Sequence, residues 1–121
     1  MKNKIALWLP VMVWAGGIFY LSSIPGLRIT EAWWDIIARK LAHMAVFGIL
    51  ALLIRQALKG STAWSNRHVT LGSLMLTFLY ACSDEIHQHF VSQRHGTPID
   101  VLIDTLGAWI ALRIIRRGTF D

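Results

Sequence analysis

Acidic, imidazole and amide side chains follow directly after an apolar run in the second half of the chain. The run at residues 69–81 reads VTLGSLMLTFLYA, and the segment CSDEIHQHF follows it at residues 82–90. The side chains of this segment that could transfer protons or bind a polar group are those of Asp84, Glu85, His87, Gln88 and His89. Carboxylic acids and imidazoles in apolar surroundings are typical general acids and bases, because burial and neighbouring charges move their pKa values towards neutral pH. These residue types therefore favour proton transfer or the binding of a polar group.

The composition favours a membrane protein. The chain has 121 residues, of which 55% are hydrophobic and only 16% are charged, and its mean hydropathy is +0.48. A small soluble domain needs more polar surface than this. The net charge of +5 comes mostly from residues beside apolar segments, which is typical of membrane topology and not of nucleic-acid binding. The single cysteine, Cys82, excludes an internal disulfide and an all-cysteine metal site.

Four apolar segments predict four helices, at about residues 5–24, 40–58, 68–88 and 98–115, within one domain over residues 1–121. Only the first passes a strict length test for a membrane span, and its poor cleavage pattern argues against a signal peptide. The second and third lack the polar stripe of a soluble bundle. Most tryptophans lie near segment ends, as interfacial anchors do: Trp8, Trp33, Trp34, Trp64 and Trp109. We therefore expect an all-α integral membrane protein with a compact antiparallel bundle of four transmembrane helices.

The distribution of basic residues predicts the orientation. With the N-terminus inside, the cytoplasmic side receives Lys2, Lys4, Arg55, Lys59, Arg67, Arg113, Arg116 and Arg117. The outer side receives Arg28, Arg39, Lys40 and Arg94. Cytoplasmic loops of membrane proteins are enriched in Lys and Arg. This bias predicts a multi-pass protein of the inner (cytoplasmic) membrane with both termini in the cytoplasm. The alternative is three spans with an interfacial fourth helix, because the charges of Asp100, Asp104 and Arg113 leave a short apolar core.

This topology brings polar residues from three helices to one membrane level. Each helix is expected to present one polar face: Lys40, His43 and Phe47 on the second, Asp84, His87 and Gln88 on the third, and Asp100, Asp104, Gly107 and Ala111 on the fourth. Charges within a bilayer usually face the bundle interior and pair with one another. Small residues on the fourth helix would let it approach a neighbour closely. The sequence therefore predicts one polar site near the outer membrane surface.

The predicted site has candidate residues for both catalysis and binding. Asp84 or Glu85 would act as the general acid or base, with His43 or His87 as proton partner. Lys40 and Arg94 would bind a phosphate or carboxylate group. The remaining candidate binding residues are Gln88, Asp100 and Asp104. No protein nucleophile is evident, so water would have to serve.

Several of these residues also have structural interpretations. Asp100 follows Thr97 and Pro98 as a helix start would predict. Asp84 could pair with Lys40 or Arg94 only to hold the bundle together, and His43 could be a satisfied interior histidine. His87 and His89 point roughly 200° apart on a helix, so they cannot share a zinc ion. The carboxylates with His43 and His87 offer a weak pattern for an oxygen-preferring ion such as Mg²⁺, and no cofactor is implied.

The order of the motifs resembles the VanZ-like membrane proteins, which are named after a teicoplanin-resistance accessory protein. The resemblance is carried by YLSSIPG at residues 20–26, KLAHMAVFG at residues 40–48 and SDEIHQHFVSQRHGTPIDVLIDTLGA at residues 83–108. The positions that match the family pattern are Lys40, His43, Asp84, Glu85, Gln88, Phe90, Arg94, Asp100 and Gly107. Three positions depart from it: Asp104 stands where the family more often has Asn, and Ser92 and Gln93 stand where a Pro-Gly pair is common.

The resemblance implies a polytopic protein of the cell envelope, with glycopeptide tolerance in at least one member, but no reaction or substrate. The residues leave three functions open, and the scarcity of polar residues in the cytoplasmic half of the spans argues against a fourth, which is a proton or ion pathway. The first is an enzyme that acts on a lipid-linked or anionic substrate at the outer leaflet. The second is a protein that binds a lipid head group or a glycopeptide without chemistry. The third is a structural salt-bridge network, in a monomer or an oligomer. In each case the expected partner is the lipid bilayer, with no nucleic acid.

Overall fold

The computed structural model describes residues 4–22, 33–90 and 98–117, and these residues form four α-helices without any strand. The helices are α1 (Lys4–Ser22), α2 (Trp33–Ser61), α3 (Asn66–His89) and α4 (Pro98–Arg117). The prediction of an all-α chain with four helices is therefore confirmed for the described part. The predicted end of the first helix, at residue 24, lies outside the described residues.

Helix α2 begins at Trp33, about two turns before the predicted start near Lys40. The prediction followed the uncharged stretch, but the preceding residues contain no Gly or Pro that would end a helix. Its 29 residues extend about 44 Å, which exceeds a hydrocarbon core of about 30 Å. The part of α2 that exceeds the hydrocarbon core can lie in water, where the charged residues Asp35, Arg39 and Lys40 are favourable. Lys40 and His43 consequently lie well inside the helix and not in its first turn.

Two of the described helices are long and apolar enough to cross a membrane. They contain the segments Lys4–Leu21, with a mean hydropathy of 1.5, and Ile37–Ser61, with a mean hydropathy of 1.8. Large apolar side chains are exposed along all four helices, including those of Ile5, Met12, Leu41, Met75 and Ile114. Exposed apolar surface on this scale is typical of a protein that contacts a membrane or a partner.

Helix α2 occupies the centre of the fold. It contacts α1, α3 and α4, whereas α1 contacts mainly α2, touches α3 only slightly and makes no contact with α4 among the described residues. Contacts between α1 and α2 pair Trp8 with Ser61 and Trp14 with Val46, so these two helices are antiparallel. Helices α2 and α4 run parallel. The polar and core residues of α2, α3 and α4 are thereby held in one three-helix unit, against which α1 packs.

The parallel helices α2 and α4 approach each other most closely at two glycines. A Cβ atom at Gly107 would lie 2.6 Å from the Cα atom of Met44, which no side chain can occupy without moving a backbone. A Cβ atom at Gly48 would lie 3.2 Å from the Cβ atom of Ala111. Small residues at helix contacts allow this kind of close approach in membrane bundles. The expectation that small residues bring the fourth helix close to a neighbour is confirmed.

Two side chains bind backbone carbonyl groups of neighbouring helices and attach α1 to the three-helix unit. The indole N–H of Trp14 donates to the carbonyl oxygen of Val46 at 3.0 Å, and the hydroxyl of Tyr80 donates to the carbonyl oxygen of Ala15. The buried hydroxyls of Ser73 and Thr77 donate within α3 to carbonyl groups one turn earlier. Polar groups in an apolar interior need such partners, because an unpaired one costs several kcal/mol in hydrocarbon.

We expect the substitution Gly107→Ala to lower the free energy of unfolding by about 2 kcal/mol, because the added methyl group forces α4 away from Met44. Thermal unfolding of the purified protein in detergent measures the effect. The matched control is Gly16→Ala, where a Cβ atom meets nothing within 4 Å and the higher helix propensity of Ala leaves stability equal or slightly greater. If Gly107→Ala is as stable as Gly16→Ala, the glycine contact does not limit the packing.

Candidate functional site

Two polar pairs join α2 to α4 at successive levels. The ammonium Nζ of Lys40 lies 3.2 Å from Oδ1 of Asp100, and these side chains are 46% and 30% exposed. One turn further in, the imidazole Nδ1 of His43 lies 3.3 Å from Oδ1 of Asp104, and these side chains are 38% and 5% exposed. The outer pair is therefore accessible, whereas the carboxylate of the inner pair is buried.

The spacing of the two pairs follows from the parallel helices. Lys40 and His43 are separated by three residues on α2, and Asp100 and Asp104 by four residues on α4. Both spacings return to the same face of an α-helix and advance by similar distances along it. The contact at Gly107, less than one turn beyond Asp104, fixes this register. The sequence predicted the faces, and the structure shows which residue on one helix meets which on the other.

The third helix of the cluster, α3, contributes Asp84. Its side chain is buried at 4% exposure on α3, and its charge acts on His43, Asp104 and Tyr80. Asp100 also acts electrostatically on His43. The structure thus brings together five of the predicted site residues, which are Lys40, His43, Asp84, Asp100 and Asp104.

Aromatic rings close the inner side of this cluster. The ring of His43 is nearly parallel to that of Phe47, one turn further along α2, with centroids 6.3 Å apart. Phe47 is fully buried, and its ring centroid lies 6.2 Å from that of Tyr80 on α3. Beyond Phe47 the core is mostly apolar, although Arg55, Ser73 and Thr77 are also buried there. The buried carboxylates of the described residues therefore lie at one end of the bundle.

The structure does not place the other four predicted residues in the polar pairs of this cluster. His87 stacks on Phe19 of α1, with ring centroids 4.1 Å apart and an angle of 9° between the planes. Glu85 follows Asp84 on α3 and is partly buried. The side chain of Gln88 and the whole of Arg94 lie outside the described residues. The roles predicted for these four residues stay predictions.

Sequence reasoning did not associate Phe19 with the site. It lies directly before the YLSSIPG motif on a helix whose other residues are almost all apolar, so no local signal distinguishes it. The hydroxyl of Tyr80 donates to the carbonyl of Ala15, so this side chain joins α3 to α1. The charge of Asp84 also acts on the hydroxyl of Tyr80. Both contacts depend on how α1 packs against α3, which no helical period reveals.

The inner pair can perform acid–base chemistry. When the Nδ1 atom of a neutral imidazole holds its proton towards a carboxylate, the Nε2 atom is a proton acceptor. Asp104 can thus orient His43 and stabilise its charged form after a proton is taken up. Among the described residues no group of three or more His, Cys, Asp or Glu side chains has the geometry to hold a metal ion.

Apolar helices that carry a buried cluster of ionisable groups at one end define an α-helical membrane protein with a polar site. The VanZ/LLP1 family model matches residues 7–119, a range that includes every candidate site residue. The chain therefore belongs to the VanZ/LLP1 family, and the resemblance inferred from its motifs is confirmed. No curated protein and no solved structure matches it.

Double-mutant cycles should distinguish the two pairs. We expect His43→Ala and Asp104→Ala to show a coupling free energy of about 2 kcal/mol, because the carboxylate is buried against its partner. The control cycle of Lys40→Ala and Asp100→Ala should give less than about 1 kcal/mol, because the pair is largely exposed. Denaturation of the four variants in each cycle measures both values. Equal coupling in the two cycles would contradict the distinction between inner and outer pairs.

Proposed function

We propose that all four helices span the inner membrane, with both termini in the cytoplasm and the polar cluster near the outer surface. The excess of basic residues at the opposite ends of the helices supports this orientation. The carboxylates of Asp84, Glu85, Asp100 and Asp104 all lie at the other end, near Lys40 and His43. A single bundle then carries its ionisable site in the outer leaflet.

The topology can be tested with a single introduced cysteine in a Cys82→Ser background. We expect a membrane-impermeant maleimide added to intact cells to label Ile99→Cys, which is exposed at the start of α4, and not Ala63→Cys, which is exposed between α2 and α3. Both variants should react after the cells are permeabilised, which serves as the control. Labelling of Ala63→Cys in intact cells would reverse the proposed orientation.

We propose that the polar cluster acts on a lipid-linked or anionic molecule of the cell envelope. The observation that carries this proposal is the pairing of His43 with the buried carboxylate of Asp104, with the buried carboxylate of Asp84 in the same cluster, in mostly apolar helices. Ionisable groups are costly within a bilayer and usually serve a substrate or proton pathway there. The inner half of the core is mostly apolar, and its buried polar residues, which are Arg55, Ser73 and Thr77, include no carboxylate or imidazole; this argues for a site at one surface and against a proton path through the membrane.

The proposed chemistry assigns a separate task to each pair. Lys40 is half-exposed and can exchange its contact with Asp100 for a phosphate or carboxylate of the substrate. His43, oriented by Asp104, takes a proton from water or from a hydroxyl group of the substrate through Nε2. Asp84, in its protonated form, is the candidate acid that gives its own proton to the leaving oxygen of the substrate, and the proton held by His43 then restores Asp84. Arg94, Gln88, Glu85 and His87 are proposed from the sequence as further binding and proton-transfer residues.

Family membership supports a place in envelope chemistry. The VanZ/LLP1 assignment is consistent with an envelope protein associated with teicoplanin resistance. We propose that altered handling of a lipid-linked molecule, or binding of the glycopeptide itself, would link this site to glycopeptide tolerance. Resistance would then follow from the state of the envelope and would not require chemical change of the antibiotic.

A second candidate function is structural. Both polar pairs connect α2 with α4, so the cluster can fix the register of two helices without acting on a substrate. Buried polar groups specify pairing in some helical assemblies. A third function, between the enzyme and the structural network, is a protein that binds a lipid head group or a glycopeptide without catalysing a reaction. Asp84 is the residue whose substitution distinguishes these functions, because the proposal assigns its buried carboxylate the role of the acid.

We expect cells that contain the wild-type chain to differ in one lipid-linked envelope species from cells with an empty vector, and Asp84→Asn to abolish the difference. Asparagine keeps the shape of the side chain but removes its charge and its proton-transfer capacity. Mass spectrometry of envelope lipids and cell-wall precursors, at matched protein levels in the membrane, provides the measurement.

The matched control is Asp121→Asn, the same chemical change at the predicted cytoplasmic end, which should behave as wild type. The enzymatic function is refuted if cells with the wild-type chain, with Asp84→Asn and with the empty vector all have the same lipid profile, while both proteins are folded and abundant. A purely structural cluster predicts instead that Asp84→Asn lowers stability without any chemical phenotype in the comparison between wild type and empty vector.

A further inference from the structure

One charged side chain is buried at the end of the bundle opposite the polar cluster. Arg55 lies on α2, twelve residues beyond His43, which corresponds to about 18 Å of helix. Its exposure is only 6%. A buried guanidinium is costly in apolar surroundings unless an anionic or polar group binds it. The burial of Arg55 therefore indicates a second polar contact, far from the pairs of Lys40 and His43.

The face of α2 that carries Arg55 is turned towards α4. Gly48, Ala51 and Arg55 are separated by three and four residues, a spacing that returns to one face of a helix. Gly48 lies against Ala111 of α4, and Ala51 belongs to a buried cluster with Leu112 of the same helix. Arg55 therefore lies on the side of α2 that packs against α4.

The register of the two parallel helices gives the level of Arg55 along α4. Arg55 stands seven residues beyond Gly48, which lies against Ala111. Both helices advance by about 1.5 Å per residue, so the same step along α4 reaches residue 118, directly after the last helical residue, Arg117. Residue 118 is a glycine, and a glycine directly after a helix favours a turn of the chain. The segment that follows α4 thus begins at the level of Arg55.

The acidic residues of the chain include one candidate partner for Arg55. The sequence has seven Asp and Glu residues. Six of them precede or occupy the helix ends at the polar cluster, and these are Glu31, Asp35, Asp84, Glu85, Asp100 and Asp104. The seventh is Asp121, four residues beyond the end of α4. Only Asp121 therefore supplies a carboxylate from this sequence at the buried end of Arg55.

We propose that Arg55 binds the carboxylate of Asp121 and thereby docks residues 118–121 against the end of the three-helix unit. The planar guanidinium can donate two parallel hydrogen bonds to one carboxylate. The pair joins α2 to the segment that follows α4, so it fixes the register of these helices at the end opposite the Lys40–Asp100 pair. The close contact at Gly107 lies between the two pairs.

A thermal double-mutant cycle on the purified protein in detergent tests the pair. We expect Asp121→Asn to lower the midpoint of unfolding by about 5 °C, because it removes the charge that offsets the cost of the buried guanidinium. The same substitution should have no effect in an Arg55→Met background. The matched control background is Lys59→Met, one turn further along α2, where the side chain is exposed and Asp121→Asn should keep its full effect.

Trypsin measures the docking of the segment directly. Trypsin cleaves after arginine, and mass spectrometry of the folded protein follows the loss of residues 118–121. We expect Asp121→Asn and Arg55→Met to be cleaved after Arg117 several-fold faster than the wild type, because release of the segment exposes its backbone. Asp121→Glu keeps the carboxylate and should be cleaved at a rate close to that of the wild type. The comparison of Asp121→Asn with Asp121→Glu holds even if Arg55→Met folds poorly.

Three results would overturn the proposal. The first is an equal effect of Asp121→Asn in the Arg55→Met and Lys59→Met backgrounds, and the second is equal cleavage of all variants. The third is a loss of stability in Arg55→Met with none in Asp121→Asn, which would assign the guanidinium to the terminal carbonyl groups of α4. Added phosphatidylglycerol that stabilises the wild type and Asp121→Asn but not Arg55→Met would assign it to a lipid phosphate instead.

The proposed pair is independent of the proposed function, because it lies at the other end of the bundle from the polar cluster. Asp121→Asn should therefore lower stability and release the segment without any change in the lipid profile of the cells at matched protein levels. Failure of the double-mutant cycle would refute the pair and leave the site at His43 and Asp104 untouched.

Discussion

The close contact of two parallel helices, α2 and α4, determines the rest of this structure. Gly107 lets the backbone of α4 lie against Met44, and Gly48 lies against Ala111 in the same way. Larger residues would hold the helix axes further apart, and the side chains one turn away would no longer meet. The distances of 3.2 Å and 3.3 Å in the two polar pairs depend on this approach. The glycine contact is thus a condition for the site as well as for the packing.

The polar pairs have different energetic consequences. An exposed ion pair such as Lys40–Asp100 contributes little stability, because water and salt screen both charges. A buried carboxylate such as that of Asp104 is costly to remove from water, and a partner such as His43 offsets that cost only in part. Placing Asp84 in the same cluster adds a second buried carboxylate. A fold optimised for stability alone would place apolar residues here, which is the physical ground for assigning the cluster a function.

Helix α1 contributes to the site from one side only. Towards this end of the bundle its polar and aromatic contacts include the bond from Trp14 to Val46, the bond from Tyr80 to Ala15 and the stacking of Phe19 on His87. It does not touch α4 among the described residues, which leaves the other side of the α2–α4 pair open.

The sequence by itself determined the helices, their apolar character and the residue types that share a helix face, because a period of 3.6 residues and the scarcity of charge are local properties. It also determined that Lys40 and His43, Asp84, and Asp100 and Asp104 lie at one level, since chain order alternates the direction of successive helices. It did not determine that α2 begins at Trp33. The charges of Asp35 and Arg39 interrupt the apolar pattern of residues 33–39, so the sequence does not distinguish a helix end from a linker there. Only the tertiary structure decided that His43 meets Asp104, that His87 stacks on Phe19 and that Gly107 lies against Met44. These contacts depend on the rotation and separation of whole helices, which are set by the fit of Gly107 against Met44 and by no periodicity within a single segment.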